Sequence, residues 1–145
     1  MGKRVVLLVV FCLPFFLISC SFKAAKLTQA TDKGIGPIKN LKLGTINLDL
    51  AKKGETLFQM HCTQCHHLNH RYVGPPLGKI ATTARPEFIM NMILNPEGMT
   101  QKDPIAHKLL AKYLTQMSVK GITRKDARAI LEYLRSVAEK NHSQK

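Results

Sequence analysis

The clearest periodic pattern in the chain is a stripe of apolar residues near its C-terminal end. These residues recur at steps of three and four, the spacing that places side chains on one face of an α-helix. They are Ala127, Ile130, Leu131, Leu134 and Ala138. Thr123 is a suitable N-cap, and Asp126 follows it three residues later. The pattern predicts a final helix with one buried face.

Two earlier segments begin with proline, which is favoured in the first turn of a helix. Pro86 opens an apolar segment that contains Met92 and ends near Pro96. Asp103 and Pro104 cap and open the next segment. Its apolar residues are Ile105, Leu109, Leu110 and Tyr113. We therefore predict one helix in each segment, with Met92 filling a gap in the core.

The N-terminus has the pattern of a secretory signal. Lys3 and Arg4 precede an apolar run from Val5 to Ile18, the order of regions found in such signals. A stable transmembrane helix needs about 20 apolar residues, and Pro14 interrupts this shorter run. We interpret residues 1–19 as a signal peptide that directs export.

The apolar run ends in Leu17, Ile18, Ser19 and Cys20, which resembles the lipobox of bacterial lipoproteins. The resemblance implies cleavage before Cys20 and attachment of a lipid to that cysteine. The protein would then be anchored to a membrane, facing the periplasm or the cell exterior. An uncleaved signal anchor, with Cys20 as an ordinary thiol, is the alternative.

Residues 20–47 show neither helical nor alternating periodicity. We predict that they form a lipidated, flexible tether. A folded domain is expected over residues 48–139, and a basic tail over residues 140–145.

Net charge indicates the kind of partner. The chain of 145 residues carries a formal charge of +13, and it stays strongly basic after loss of Lys3 and Arg4. A basic surface attracts acidic partners. We do not expect nucleic acid among them, because Lys and Arg are spread along the chain, Trp is absent and no base-stacking motif occurs.

The chemistry-bearing motif is Cys62-Thr63-Gln64-Cys65-His66, a C-x-x-C-H sequence that is the attachment signature for c-type haem. Residues three apart on a helical turn share a face, so both sulfurs can reach one edge of a porphyrin. The imidazole of His66 would then bind the iron.

Two other interpretations of this motif exist. A C-x-x-C pair can be a thiol redox centre, although no strand pattern precedes it here. It can also be half of a zinc site that uses His66, His67 or His70, although no second cysteine pair is available in the domain.

Around the motif, the chain resembles class I c-type cytochromes from Leu48 to about Ala138. The other matching motifs, in the family's order, are Gly54–Phe58, Gly74–Leu77, Met117 and Ile130–Leu134. The resemblance implies an all-α, small cytochrome c fold, with three to five helices wrapped around one covalently bound haem. It also implies that Gly54 lies opposite Tyr133, where the first and last helices cross closely.

The resemblance further implies which residues hold haem c. Cys62 and Cys65 would carry the covalent bonds, and His66 would be the proximal iron ligand. The carbonyl of Pro75 would accept a hydrogen bond from the His66 imidazole and fix its orientation. Met117 matches the distal ligand.

The distal ligand is the least specified of these roles. The family commonly has proline directly after the distal methionine, whereas Ser118 follows Met117 here. Met99 is the rival, because it lies after Pro96 in a stretch expected to be a loop.

With both axial positions filled, the iron would have no open site, and the expected function is single-electron transfer rather than catalysis. The expected partners are acidic redox proteins, such as a reductase, an oxidase or a quinol-linked complex. The alternative is a haem enzyme, or a gas or redox sensor, with a labile sixth ligand.

Overall fold

The computed structural model describes residues 32–143. Within them lie six helices and no β-strand. The helices are α1 (Leu48–His61), α2 (Ile80–Thr83), α3 (Pro86–Leu94), α4 (Pro96–Lys102), α5 (Pro104–Tyr113) and α6 (Arg124–Ser143). The all-α prediction is confirmed. The described residues contain six helices, one more than the upper end of the expected range of three to five. Two of them, α2 and α4, have only 4 and 7 residues, which is too short for a recognisable periodicity in the sequence.

The final helix, α6, is the centre of the fold. It packs against α1, α2 and α3, and all five residues of its predicted apolar stripe are buried. Thr123 caps it: the Asp126 amide donates to the Thr123 hydroxyl oxygen at 3.2 Å, and the Asp126 carboxylate accepts from the Thr123 amide. The predicted face and cap are both confirmed.

The crossing of α1 and α6 depends on Gly54. A Cβ atom at Gly54 would lie 1.9 Å from the carbonyl oxygen of Ala129, so only glycine allows the two backbones to approach this closely. Gly54 lies against the backbone of Ala129. Tyr133 follows one helical turn after Ala129, and its ring packs against Phe58 of α1 at a centroid distance of 5.3 Å.

The segment before α1 is irregular in backbone but packed. Ile38 is completely buried. The Asn91 side chain accepts a hydrogen bond from the Ile38 amide and donates to the carbonyls of Ile38 and Lys33, at 2.8–2.9 Å. Residues 32–47, called here the N-terminal segment, are therefore part of the domain. The predicted tether to residue 47 was wrong over this stretch.

The C-terminal boundary of the domain also differs from the prediction. Helix α6 continues through Ser143, so residues 140–143 of the predicted basic tail are helical. The predicted signal peptide, Cys20 and the rest of the tether lie outside the described residues. Between residues 32 and 143, no helix is long and apolar enough to cross a membrane.

Candidate functional site

The C-x-x-C-H motif forms a tight turn at the C-terminal end of α1. The Cys62 amide donates to the carbonyl of Phe58, and the amides of Cys65 and His66 donate to the carbonyl of Cys62 at 3.1 and 2.8 Å. This turn leaves Cys62 buried and Cys65 exposed. Both thiols and the His66 imidazole nevertheless line the same cavity.

That cavity consists of two adjoining spaces of about 210 and 90 Å³. They share six lining residues: Cys62, His66, Pro75, Met92, Leu109 and Met117. The smaller space is closed by apolar side chains of α1, α3 and α6: Phe58, Ile89, Ile93, Ile130 and Leu134. An apolar space next to two thiols and an imidazole is suited to a flat, largely apolar cofactor.

The His66 ring is held from two sides. Its Nδ1 donates to the carbonyl of Pro75 at 2.9 Å, so the contact that the family resemblance predicts is present. Burial lowers the pKa of His66, and the bond to Pro75 opposes this shift. A neutral imidazole that keeps its proton on Nδ1 has its lone pair on Nε2, the form that binds a metal.

Gly74 explains how this ring fits. A Cβ atom there would lie 2.4–3.0 Å from Cε1, Nδ1 and Nε2 of His66, so the ring rests directly on the glycine backbone. The Gly74 amide also donates to the carbonyl of Cys65 at 2.7 Å. In the sequence, Gly74 was noted only as the first residue of a motif that matches the family. No local pattern indicates this packing role, since it depends on a ring eight positions earlier.

The two competing interpretations of the motif receive no support. A thiol redox centre needs a stabilised thiolate, whereas burial, followed by the charge of nearby Cys65, raises the pKa of Cys62 to about 11. A zinc site needs four ligands, and residues 32–143 contain no group of three or more His, Cys, Asp or Glu side chains placed to hold a metal.

The methionines differ sharply in position. Met117 is half-buried and lines both spaces of the cavity. Met99 is fully buried in helix α4 rather than in a loop, and its sulfur accepts a hydrogen bond from the Ile35 amide at 2.9 Å. Met99 lines neither space, and it packs with Phe88 and Ala106 in a separate cluster.

Met92 is the residue that sequence reasoning undervalued. It was expected to fill a gap in the core, yet it lines both spaces beside Met117. In the structure, Met92 comes two residues after the fully buried Met90. Helical geometry turns residue i+2 by about 200°, so Met92 lies away from the face that Met90 occupies. The sequence alone does not tell which of the two faces the cavity.

These residues fit a covalently held haem. The donor set comprises two thiols three residues apart and a neutral imidazole, and apolar walls surround it. An all-α domain with this arrangement defines the class of c-type haem proteins.

Comparison with known proteins places the chain within that class. Residues 51–138 match the family model described as cytochrome c. A solved cytochrome c from Rhodothermus marinus is 45% identical, with a TM-score of 0.71, and the match covers 72% of this chain and 91% of that one.

An engineered R. marinus cytochrome c, Rma TDE, matches with the same identity and coverage and a TM-score of 0.70. The same engineered protein bound to a carbene intermediate has a TM-score of 0.67, again at 45% identity over 72% and 91% of the two chains. Among proteins of curated function, none matches.

The chain belongs to the cytochrome c family, and it is a class I c-type cytochrome. Its cofactor is covalent haem c, with Cys62 and Cys65 in the attachment spacing. The family is in general one of electron-transfer proteins.

Proposed function

We propose that this cytochrome is a single-electron carrier whose haem iron is bound by His66 and Met117. The observation that carries the proposal is the cavity itself, which brings the C-x-x-C-H turn and the Met117 side chain to a common apolar space. Haem c supplies the one-electron redox chemistry in such a site. The apolar walls would exclude water from it, and His66 and Met117 would hold its iron.

His66 is suited to the proximal role because Pro75 fixes its tautomer and ring orientation. Met117 is suited to the distal role because its side chain reaches the cavity from the loop between α5 and α6. A thioether ligand raises the reduction potential relative to a second imidazole. Met99 is unsuited because its sulfur already accepts a hydrogen bond from the Ile35 amide and its side chain lines neither space of the cavity.

Absorption spectra of methionine variants test this ligand assignment. The weak near-infrared band that reports iron–sulfur bonding should vanish in Met117→Ala, while Met92→Ala and Met99→Ala should keep it. Met92→Ala is the sharper control, since Met92 lines the same cavity. Loss of the band in Met92→Ala or Met99→Ala, with the band intact in Met117→Ala, would move the assignment to that residue.

A haem enzyme or sensor with a labile sixth ligand is the second candidate. It is favoured by the engineered R. marinus relative that holds a carbene intermediate, which shows that a protein similar to this one can admit a reactive ligand. Binding of carbon monoxide to the reduced protein separates the two functions. A stable electron carrier should bind it slowly, whereas an open or weakly held site should bind it at once.

Location and partners form the other part of the proposal. We infer that Cys20 carries a lipid and that the domain operates outside the cytoplasm at a membrane. The basic sequence supports an acidic redox partner. We infer that the partner docks beside the cavity, at Tyr113. This is supported by the neighbouring Leu114, which is 85% exposed, and by the Arg71 guanidinium, which lies 4.7 Å from the Tyr113 ring centroid.

Mass analysis of the protein made in its native host tests the anchor, since Cys20→Ala should lack the lipid mass and leave the membrane fraction. Salt dependence tests the partner's charge. The rate of electron exchange with an acidic redox protein should fall as ionic strength rises.

A further inference from the structure

The loop that carries Met117 has very little holding it. Residues 115–122, called here the distal loop, connect α5 to the Thr123 cap of α6. Within the described part of the chain, one hydrogen bond joins this loop to another element: the Thr100 hydroxyl donates to Oε1 of Gln116 at 2.8 Å. The same side chain donates from Nε2 to the carbonyl of Met117 at 3.0 Å.

Gln116 therefore connects helix α4 to the backbone of the next residue, Met117. One side chain makes both contacts through the two ends of its amide. Movement of Met117 away from the cavity would stretch or break one of the two bonds. The other contacts of the loop are apolar, with Met117 and Ile122 packed against the main core, and apolar packing gives little directional restraint.

Thr100 is a firm anchor for this connection. It is only 4% exposed, and its backbone carbonyl accepts a hydrogen bond from Nδ1 of His107 at 3.1 Å. Its hydroxyl has one proton. The Pro96 and Glu97 carbonyls lie 3.1 and 3.0 Å away, and Gln116 Oε1 is the nearest acceptor at 2.8 Å.

We propose that Thr100 and Gln116 are positioning residues that hold Met117 at the haem. This inference rests on the proposed function, because it takes Met117 as the distal ligand. The family commonly has proline after the distal methionine, and the fixed proline ring restrains the backbone. Ser118, which follows Met117 here, has no such ring. The bond between Thr100 and Gln116 restrains the distal loop in its place. Removing the bond should leave the ligand in place for most of the time but let it dissociate more often.

Four substitutions in the full-length holoprotein test this role. Thr100→Val keeps the shape of the side chain and removes the hydroxyl, and Gln116→Leu removes the amide. Thr100→Ser keeps the hydroxyl. Gln101→Leu is the matched control, because Gln101 is an exposed glutamine next to Thr100 on α4. Its side chain donates to Glu97 Oε1, and among the described residues it makes no hydrogen bond to the distal loop.

We expect amide hydrogen exchange in the distal loop to rise about two- to tenfold in Thr100→Val and Gln116→Leu, the factor that corresponds to one ordinary hydrogen bond. Carbon monoxide should bind the reduced protein faster by a similar factor, and the near-infrared band should disappear at a lower temperature. Thr100→Ser and Gln101→Leu should behave as wild type. The double variant should equal Gln116→Leu, since Thr100→Val removes only a bond that Gln116→Leu already removes.

Unchanged exchange and unchanged carbon monoxide binding in both single variants would overturn the positioning role, even if Met117→Ala loses the near-infrared band and the ligand assignment stands. If Met117→Ala keeps the band, the ligand assignment and this inference fail together. Gln116 is exposed, so Gln116→Leu still gives an answer if Thr100→Val does not fold.

Discussion

At the scale of single residues, the site depends on how His66 is fixed. The Gly74 backbone lies directly against the ring, and the Pro75 carbonyl accepts a hydrogen bond from Nδ1. Two neighbouring residues of one turn thus set both the position and the tautomer of the imidazole. A larger residue at position 74 would push the ring away from the Pro75 carbonyl.

Gly74→Ala should therefore disturb the site more than its single added methyl group suggests. A methyl group at 2.4–3.0 Å from three ring atoms must displace the imidazole, since backbone and ring are both rigid. We expect a loss of about 1–3 kcal/mol in unfolding free energy and a lower haem content, measured by guanidinium unfolding and by absorbance per protein.

Gly44→Ala is the control for this substitution, because a Cβ atom at Gly44 has no neighbour within 4 Å. It should leave stability and haem content unchanged. Equal effects of the two substitutions would show that Gly74 acts through general backbone flexibility and does not support the ring.

The residues that line the cavity were predictable to different degrees. Cys62, Cys65 and His66 are adjacent in sequence, so their shared cavity follows from one local turn. Met117 lines the cavity, and its role as the distal ligand, which family order suggests, stays a prediction. The cavity contact of Met92 was not anticipated, because a helical apolar residue looks the same in sequence whether it faces a cofactor or the core.

At the scale of elements, the N-terminal segment shows that irregular backbone can be firmly packed. Polar side chains from α3, from α6 and from the residue between α3 and α4 satisfy its backbone groups: Glu87, Asn91, Glu132, Arg135 and Asn95. Burying unpaired backbone groups would be costly. These side chains therefore supply the hydrogen-bond partners that the main chain itself supplies inside a helix.

Asn91→Ala should release this segment. The substitution removes the partners of the Ile38 amide and of the Ile38 and Lys33 carbonyls, in a region where Ile38 is fully buried. We expect a loss of about 2–4 kcal/mol in unfolding free energy and faster tryptic cleavage after Lys39 or Lys42.

Asn69→Ala removes an exposed asparagine and should have neither effect. If trypsin cleaves wild type and Asn91→Ala at the same rate in this segment, its packing does not depend on Asn91.

Helices were easier to predict than this segment for a physical reason. Thr123, Asp103 and Pro86 act on amides and dihedral angles within a few residues, so their effect can be read locally. The N-terminal segment is fixed by residues such as Asn91 and Glu132, which lie 53 and 85 positions away from their partners. A search for periodicity cannot detect such contacts.

At the scale of the whole molecule, one buried charge connects the N-terminal segment to the central helix. Glu132 is fully buried on α6. It accepts hydrogen bonds from Arg128, from Arg135 at 2.6 and 3.0 Å, and from the Asn47 amide at 3.2 Å. Arg135 in turn donates to the carbonyl of Gly44. The start of α1, the N-terminal segment and α6 thus share one ionic network.

This network makes stability depend on pH in a definite direction. Burial raises the pKa of Glu132, but hydrogen bonds from Arg128 and Arg135 outweigh burial and hold the pKa below its usual value of 4.5. The ionised carboxylate is therefore favoured in the folded state. Its contribution to stability is complete above the unfolded pKa and is lost as the pH falls through the folded pKa.

Glu132→Gln should accordingly be less stable than wild type at about pH 7, by about 1–3 kcal/mol, because two arginines lose a charged acceptor. The difference should shrink as the pH falls below 4.5, since wild type then also loses the charge. Guanidinium unfolding of the holoprotein over a pH series measures the stability difference and its change with pH. Glu139→Gln, which neutralises an exposed glutamate on the same helix, should match wild type throughout. If the loss of unfolding free energy in Glu132→Gln stays constant down to about pH 3, the effect comes from packing rather than from charge.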